Sequence, residues 1–274
     1  MVATVYTVGN FKGGVGKTKI VTMLGYDNAV IRGKKTLVLD LDPQANASQI
    51  LAKTANINNI ERTITQGLQE NDLSICITPI VENLDLIACD TGFRSFNKYV
   101  LKNFETEEEQ INVLNKLIEP LKADYDAIFI DVPPTISEFS DNAMAASDYS
   151  IIAFQTVIES LDGVAKYVGY QNFMVERYGI DLQIIDIIPC MVEPDDSLDK
   201  EILNEARELY GNVVSENVVN YQKRLRRYSS EGIYIQKYNN GNYDQWDFNA
   251  HNIFTNILNE LEGRKNYLTD EMEA

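Results

Sequence analysis

The sequence predicts an α/β fold, with a mostly parallel, twisted sheet and helices on both faces. Three observations predict it. Short β-branched and apolar runs alternate with segments of helical periodicity along the chain. A glycine-rich turn, Gly13 to Gly16, joins the first such run to the first helical segment. Two apolar runs, Leu37–Asp40 and Ala127–Asp131, end in aspartate.

Each element has its own warrant. Val2 to Val8 is β-branched and forms the first expected strand. Thr18 to Arg32 reads as a helix closed by Gly33. Thr36 to Leu41 and Leu84 to Ala88 are the next strands. Glu107 to Leu121 reads as one helix, because Ile111, Leu114, Ile118 and Leu121 recur on one face. Tyr125 to Asp131 is a strongly apolar strand. Tyr149 to Gln155 is another, followed by a long helix from Leu161 to Tyr178. Leu182 to Ile188 is a further strand, and Leu198, Ile202, Ala206 and Leu209 form the stripe of the next helix. Ala250, Phe254, Ile257, Leu258 and Leu261 mark a C-terminal helix, beyond which the acidic tail 264–274 is expected to fray. No repeat, low-complexity tract or linker interrupts the pattern, so residues 1–274 are expected to be a single domain.

Composition narrows the classes. A hydrophobic share of 45% provides for a substantial core, and a net charge of −17 argues at face value against a dedicated nucleic-acid binder. No apolar run approaches the roughly 18 residues of a membrane helix. The N-terminus lacks the basic and apolar regions of a secretory signal. Cys76, Cys89 and Cys190 are odd in number and far apart, matching neither a disulfide framework nor a metal-ligand pair. With His251 the only histidine, a histidine-rich metal site is not expected. The acidic clusters read as solvated faces. One segment runs against them: Lys223, Arg224, Leu225, Arg226 and Arg227.

The strongest signal is Asn10-Phe11-Lys12-Gly13-Gly14-Val15-Gly16-Lys17-Thr18, set between a strand and a helix. That is the context of a phosphate-binding P-loop. Glycines let successive backbone N–H groups turn toward phosphate oxygens, and the following helix aims its positive end at the same anion. Lys17 can reach the β- and γ-phosphates, and the Thr18 hydroxyl can bind Mg²⁺. Asp40 and Asp42 leave the end of the second strand with the same facing, so their carboxylates can gather Mg²⁺ and an attacking water. Asp131 ends the strand Ala127–Asp131, followed by Val132, Pro133 and Pro134. A buried strand fixes such an acid to hold Mg²⁺ through its water shell.

The box KGGVGKT resembles the deviant Walker A motif of the ParA/MinD group of ATPases, and the resemblance covers roughly residues 2 to 235. It implies a P-loop NTPase-like fold, with ATP and Mg²⁺ as cofactors. Lys12 matches the early signature lysine that reaches a partner's nucleotide across a dimer interface. Phe11 stands where the usual P-loop has its first glycine. Asp40 to Asn46 resembles the family's D-x-D-P-Q-G-N box, with Ala45 replacing the glycine. By position, Asp42 orients or activates the water, and Asp40 sits nearer the magnesium. Lys19 replaces a second threonine near the α-phosphate. Gly163 belongs to a glycine-bearing helix start. Pro189 and Met191 fall where the family contacts the base. Asn220 and Tyr221 fall near the adenine, with Asn220 in place of a proline.

Within that group, three functions compete. Membrane-cycling proteins like MinD end in a basic amphipathic helix, whereas this tail ends Thr-Asp-Glu-Met-Glu-Ala. Metabolic or redox members include iron proteins that need paired cluster cysteines, and no such pair is present. DNA segregation is favoured by Lys223, Arg224, Arg226 and Arg227, which could contact successive phosphates, with Lys200 as a further basic position. A solvated basic helix or an internal salt-bridge partner is the bland alternative for that cluster. The expected protein is thus a short ParA-type partition ATPase. Its motif starts too early to leave room for an N-terminal DNA-reading domain, so operator-specific autorepression is not expected. The resemblance implies an ATP-dependent homodimer, cytoplasmic and nucleoid-associated, slow without its partner and not bound to membrane. It would bind non-specific DNA and a centromere-binding partition protein with a basic arm.

Overall fold

The β-branched run at the start becomes β1 (Thr4–Gly9), all six residues of which are buried. The computed structural model describes residues 2–238 and 242–273. After β1 come α1 (Lys17–Val30), β2 (Thr36–Asp40), α2 (Asn46–Thr54), α3 (Ile64–Glu70), β3 (Ile77–Val81), β4 (Leu84–Ile87) and α4 (Phe96–Asn103). Then follow α5 (Glu107–Ile111), α6 (Val113–Ile118), β5 (Ala127–Asp131), α7 (Glu138–Ala145), β6 (Tyr149–Gln155) and α8 (Ile158–Tyr178). The chain ends with β7 (Gln183–Val192), α9 (Ser197–Tyr210), β8 (Val219–Asn220), α10 (Lys223–Glu231) and α11 (Gln245–Glu273).

The strands form one eight-stranded sheet in the order β3-β4-β2-β5-β1-β6-β7-β8. Only the β3–β4 pair is antiparallel. Alternate residues of each strand face opposite layers. Val8, Val38 and Phe129 pack with Ile20 and Leu24 of α1 and Phe254 and Ile257 of α11. Leu37, Leu39, Ile128 and Ile130 pack with Leu68 of α3, Val100 of α4 and Leu117 of α6. Farther along that second face, Phe154 and Ile187 meet Val164 of α8 and Ile202 of α9. Burial on both faces explains why the central strands read as continuous apolar runs. The expected α/β, P-loop NTPase-like architecture is the one observed.

The register sets the levels from which the loops depart. Val8 of β1 pairs with Asp131 of β5, and Asp131 pairs with Asp40 of β2. The three chains therefore leave the sheet together at its carboxyl edge, where open α/β sheets bind their ligands.

Two expectations need correction. The single helix expected from Glu107 to Leu121 is broken at Asn112 into α5 and α6, followed by a 3₁₀ turn over Glu119–Asp124. The break has a side-chain cause. The Asn142 amide, on α7, accepts from the Leu114 N–H at 3.0 Å and donates to the Gln110 carbonyl at 2.9 Å. It thereby occupies the place of the helical bond between those two groups. The tail expected to fray instead continues as helix α11 through Glu273, with residue 274 outside the described residues. Arg264 starts that segment tied to Asp186 at 3.0 Å and to the Val213 carbonyl at 2.8 Å.

Asn142→Ala would leave the Leu114 N–H and Gln110 carbonyl without their partner. It should cost about 2 kcal/mol of unfolding free energy, read as a lower urea midpoint at unchanged slope.

Candidate functional site

The loop after β1 is pinned from several sides. Gly9 lies under the ring of Tyr167 on α8, and a Cβ there would sit 2.1 Å from the Tyr167 hydroxyl, so only glycine fits. The Asn10 amide donates to the Ala153 carbonyl of β6 at 2.7 Å, and its oxygen accepts the Lys12 N–H at 2.8 Å. Phe11 packs against Tyr167 and Tyr170, with ring centroids 5.1 and 5.5 Å away. Gly14 and Gly16 turn the loop at φ 78° and 101°, where a side chain would be strained. The first turn of α1 carries no acidic residue, so its positive end is not offset from within the helix. The Lys17 ammonium crosses the loop and donates to the carbonyls of Asn10 at 2.9 Å and Lys12 at 3.0 Å. Burial lowers its pKa, while Asp131 and Asp42 act in the opposite direction.

The three acids have different surroundings. Asp40 is fully buried and is engaged by the turn that follows it. One oxygen accepts the Asp42 N–H at 3.0 Å, and the other accepts the Ser48 N–H and hydroxyl at 2.8 and 2.7 Å. Both of its oxygens are thus occupied by the turn, and it holds that turn in place beside the cavity described below. The turn it shapes includes Ala45 in the left-handed region, φ 55°, where the related motif has glycine. Asp42 does reach the cavity, with one oxygen accepting the Gln44 N–H at 2.9 Å. Asp131 is fully buried, yet neither of its oxygens has a hydrogen-bond partner. Burial first, then Asp40, pushes its pKa well up. The Thr18 hydroxyl is close enough to lower it in part without closing a geometric hydrogen bond. A buried carboxylate without partners calls for a cation. Thr18 and Asp131 suit Mg²⁺, which takes one or two protein oxygens and completes its shell with phosphate and water. Among the described residues no cluster of three or more His, Cys, Asp or Glu could hold a metal by itself.

Two cavities flank the loop. The larger, about 550 Å³, is bounded by Gly14 through Lys19, Asp42, Gln44, Asn46, Pro134, Met191 and Ser229, among others. The smaller, about 270 Å³, is apolar and is lined by Gly16, Lys19, Ile20, Cys190, Met191, Asn220, Tyr221, Leu225 and Arg226, among others. Lys19 and Met191 belong to both walls. Met191 holds φ 56°, at the irregularity where β7 meets β8. The expected residues Gly13 and Lys12 lie beside these walls, near Pro134 and Gly163 respectively. Pro189 does not belong to the site. It is buried within β7, paired with Phe154. The three cysteines are buried free thiols.

α10 closes one side of the site. The Lys19 ammonium, partly buried, donates to the Leu225 carbonyl at 2.6 Å and the Ser229 hydroxyl at 2.5 Å, and burial lowers its pKa to about 8. Lys223, Arg226 and Arg227 are exposed on this helix, and Arg227 pairs with Glu231 at 3.1 Å. Arg224 is a correction. Its side chain is 10% exposed and bonds Asp244 at 2.7 Å, Asp247 at 3.1 Å and the Tyr234 hydroxyl at 2.9 Å. Asp247 also accepts the Tyr228 hydroxyl at 2.5 Å, Tyr228 meets His251 at 3.3 Å, and His251 meets Asp27 of α1 at 2.5 Å. Burial pushes Asp27 up to about 6. For His251 burial, the largest single influence, opposes protonation, but the bond and charge of Asp27, the Tyr234 carbonyl and the Asp247 charge together outweigh it and its pKa is raised. Lys200 is exposed in the first turn of α9. Sequence reasoning missed Ser48, Ser229 and this network. Only Ser48, in the turn beyond Asp40, left a local signal.

Comparison with known proteins places these features. An AAA domain profile matches residues 3–184. The sporulation initiation inhibitor protein Soj of Bacillus subtilis (strain 168) is 27% identical over 230 residues, 83% of this chain and 88% of its own. A plasmid partition protein from Borrelia burgdorferi B31, bound to AMPPNP, superposes with a TM-score of 0.76 at 22% identity, covering 96% of this chain and 99% of that one. Cobyrinic acid a,c-diamide synthase from Mycobacterium smegmatis, with bound ADP and magnesium, has a TM-score of 0.72 at 19% identity, covering 83% and 92%. The fold is therefore shared by proteins with different tasks, and the superpositions establish the fold alone.

Removing Arg224 would leave the Asp244 and Asp247 carboxylates without their countercharge. Arg224→Ala should lose about 3 kcal/mol of stability, whereas Arg226→Ala should stay within about 0.5 kcal/mol of the parent. Thermal and urea unfolding of the two variants compare them directly.

Proposed function

Because the chain belongs to the AAA-domain family and is a ParA-type ATPase, we propose that it uses MgATP to form a sandwich dimer that holds DNA and releases it on hydrolysis. The observation that carries this reading is the position of the basic helix. α10 contributes Ser229 to the wall of the larger cavity and Leu225 and Arg226 to the apolar one, while presenting Lys223, Arg226 and Arg227 to solvent. A helix shared between a phosphate site and a cationic surface is a short route from nucleotide to DNA.

In this proposal the triphosphate occupies the larger cavity and the adenine the apolar one, against Met191, Asn220 and Tyr221. The backbone amides of Gly13 to Thr18 and the Lys17 ammonium receive the phosphates. Thr18 and Asp131 would hold Mg²⁺, which there offsets phosphate charge. Asp42 orients the attacking water, and Asp40 keeps the Asp42 turn in place. Lys12, by resemblance, acts across the dimer on the partner's nucleotide, so that hydrolysis requires two copies. DNA contacts come from Lys223, Arg226, Arg227 and Lys200, doubled in the dimer. A centromere-binding protein with a basic arm would suit the acidic remainder of the surface and speed turnover on the nucleoid. Among the described residues no helix is long and apolar enough to cross a membrane.

Asp42→Ala should keep ATP affinity within about threefold but slow hydrolysis at least about 100-fold, accumulating dimer on a sizing column. DNA binding should require ATP and fail with ADP or without nucleotide. Replacing Lys223 and Arg227 together by Ala should weaken it at fixed salt by about tenfold or more while ATP turnover persists. DNA binding indifferent to nucleotide would defeat the partition reading, and ATP-dependent capture by anionic liposomes would replace it with a membrane-cycling one.

A further inference from the structure

Lys19 stands out among the cations of the site. It follows Thr18 directly on α1, and it forms part of the wall of both cavities. Among the described residues no carboxylate forms an ion pair with it. Its ammonium instead donates to two neutral acceptors on α10, the Leu225 carbonyl and the Ser229 hydroxyl. Ser229 itself belongs to the wall of the larger cavity. The Lys19 bonds to Leu225 and Ser229 have a charge on the donor alone, whereas a phosphate oxygen would bring the opposite charge as well and add direct Coulombic attraction. A partly buried ammonium held only by neutral acceptors beside this cavity therefore has a better acceptor available whenever a phosphate occupies it.

We propose that Lys19 is a positioning residue for which nucleotide phosphate and the basic helix α10 compete: phosphate draws the ammonium away from Leu225 and Ser229 and so loosens α10 from α1. The chain would thereby couple nucleotide occupancy to the placement of Lys223, Arg226 and Arg227 within one subunit, in addition to anything dimerisation does. The inference deepens the nucleotide reading of the cavity and does not require that DNA be the ligand of α10. The deeper tie between the same helices, Asp27–His251–Tyr228, lies away from the cavity and would act as the hinge that keeps α10 attached.

The competition gives opposite signs for its two partners. Lys19→Thr removes the shared ammonium and should weaken ATP affinity about tenfold, the worth of a charged hydrogen bond. Ser229→Ala removes only a rival acceptor and should tighten ATP binding by about two- to fivefold, because the Leu225 carbonyl and water still compete for the ammonium. Titration calorimetry measures both. Amide hydrogen exchange over 223–231 supplies the second readout. ATP should accelerate exchange there in the parent protein, and the Lys19→Thr protein should exchange fast with or without ATP. A merely structural bolt would make both substitutions shift ATP affinity in the same direction or not at all, and either result overturns the proposal. So does an α10 whose exchange ATP leaves unchanged in the parent. Failure of the parent to bind ATP would instead sink the nucleotide reading on which the inference rests.

Discussion

The site depends on the in-register pairing of three parallel strands. Val8, Asp131 and Asp40 lie side by side across β1, β5 and β2. That alignment brings the glycine loop, the Asp42 turn and the Asp131 carboxylate to one level at one edge. Side-chain parity then decides the facing. Phe129 packs on the α1 side of the sheet, so Asp131, two residues on, points the same way, toward Lys17 and Thr18. A slip of one residue would turn it into the opposite layer among Leu37, Leu39 and Ile130. Burial of the sheet on both faces therefore protects the register, and the register protects the chemistry.

α1 carries the consequences outward. Its first turn holds Lys17, Thr18 and Lys19 at the cavity. Farther along, Asp27 begins a buried chain through His251, Tyr228, Asp247 and Arg224 into α10 and α11. Buried polar chains of this kind contribute little net stability but are costly to leave half-satisfied, so they favour one arrangement of the helices over its neighbours. The chain's single histidine is engaged in this way, which leaves it unavailable as a metal ligand. The same network withdraws Arg224 from the surface and divides a run of basic residues into one internal and three external charges.

What the sequence made legible was local. The glycine loop, the aspartates ending β2 and β5, and the alternation of strand and helix all lie within short windows, and each has a spacing that chemistry dictates. What it hid was decided at a distance. The carboxylate partners of Arg224 come 20 and more residues later. Asn142 reaches back 28 residues to split a helix whose apolar spacing gave no hint of a break. Lys19 meets Leu225 across 206 residues. Short elements such as α2 and β8 were also hidden, because a few residues carry too little periodicity to show. Pro189 was misplaced by analogy of position: it lies inside β7, one or two residues short of where that strand opens onto the cavity.

Phe11 occupies the place where a phosphate loop ordinarily has a glycine, and it lies against Tyr167 and Tyr170, the latter bonded onward to Asp141 of α7 at 2.7 Å. A glycine there would leave the start of the loop free to sample many backbone states, and a ligand would have to select among them. With the aromatic anchor and the Asn10 clasp to β6, that conformational entropy is lost when the chain folds, driven by the burial of rings. Little of it remains to be lost when an anion arrives, so the loop meets its ligand already in shape and more of the contact energy appears as affinity.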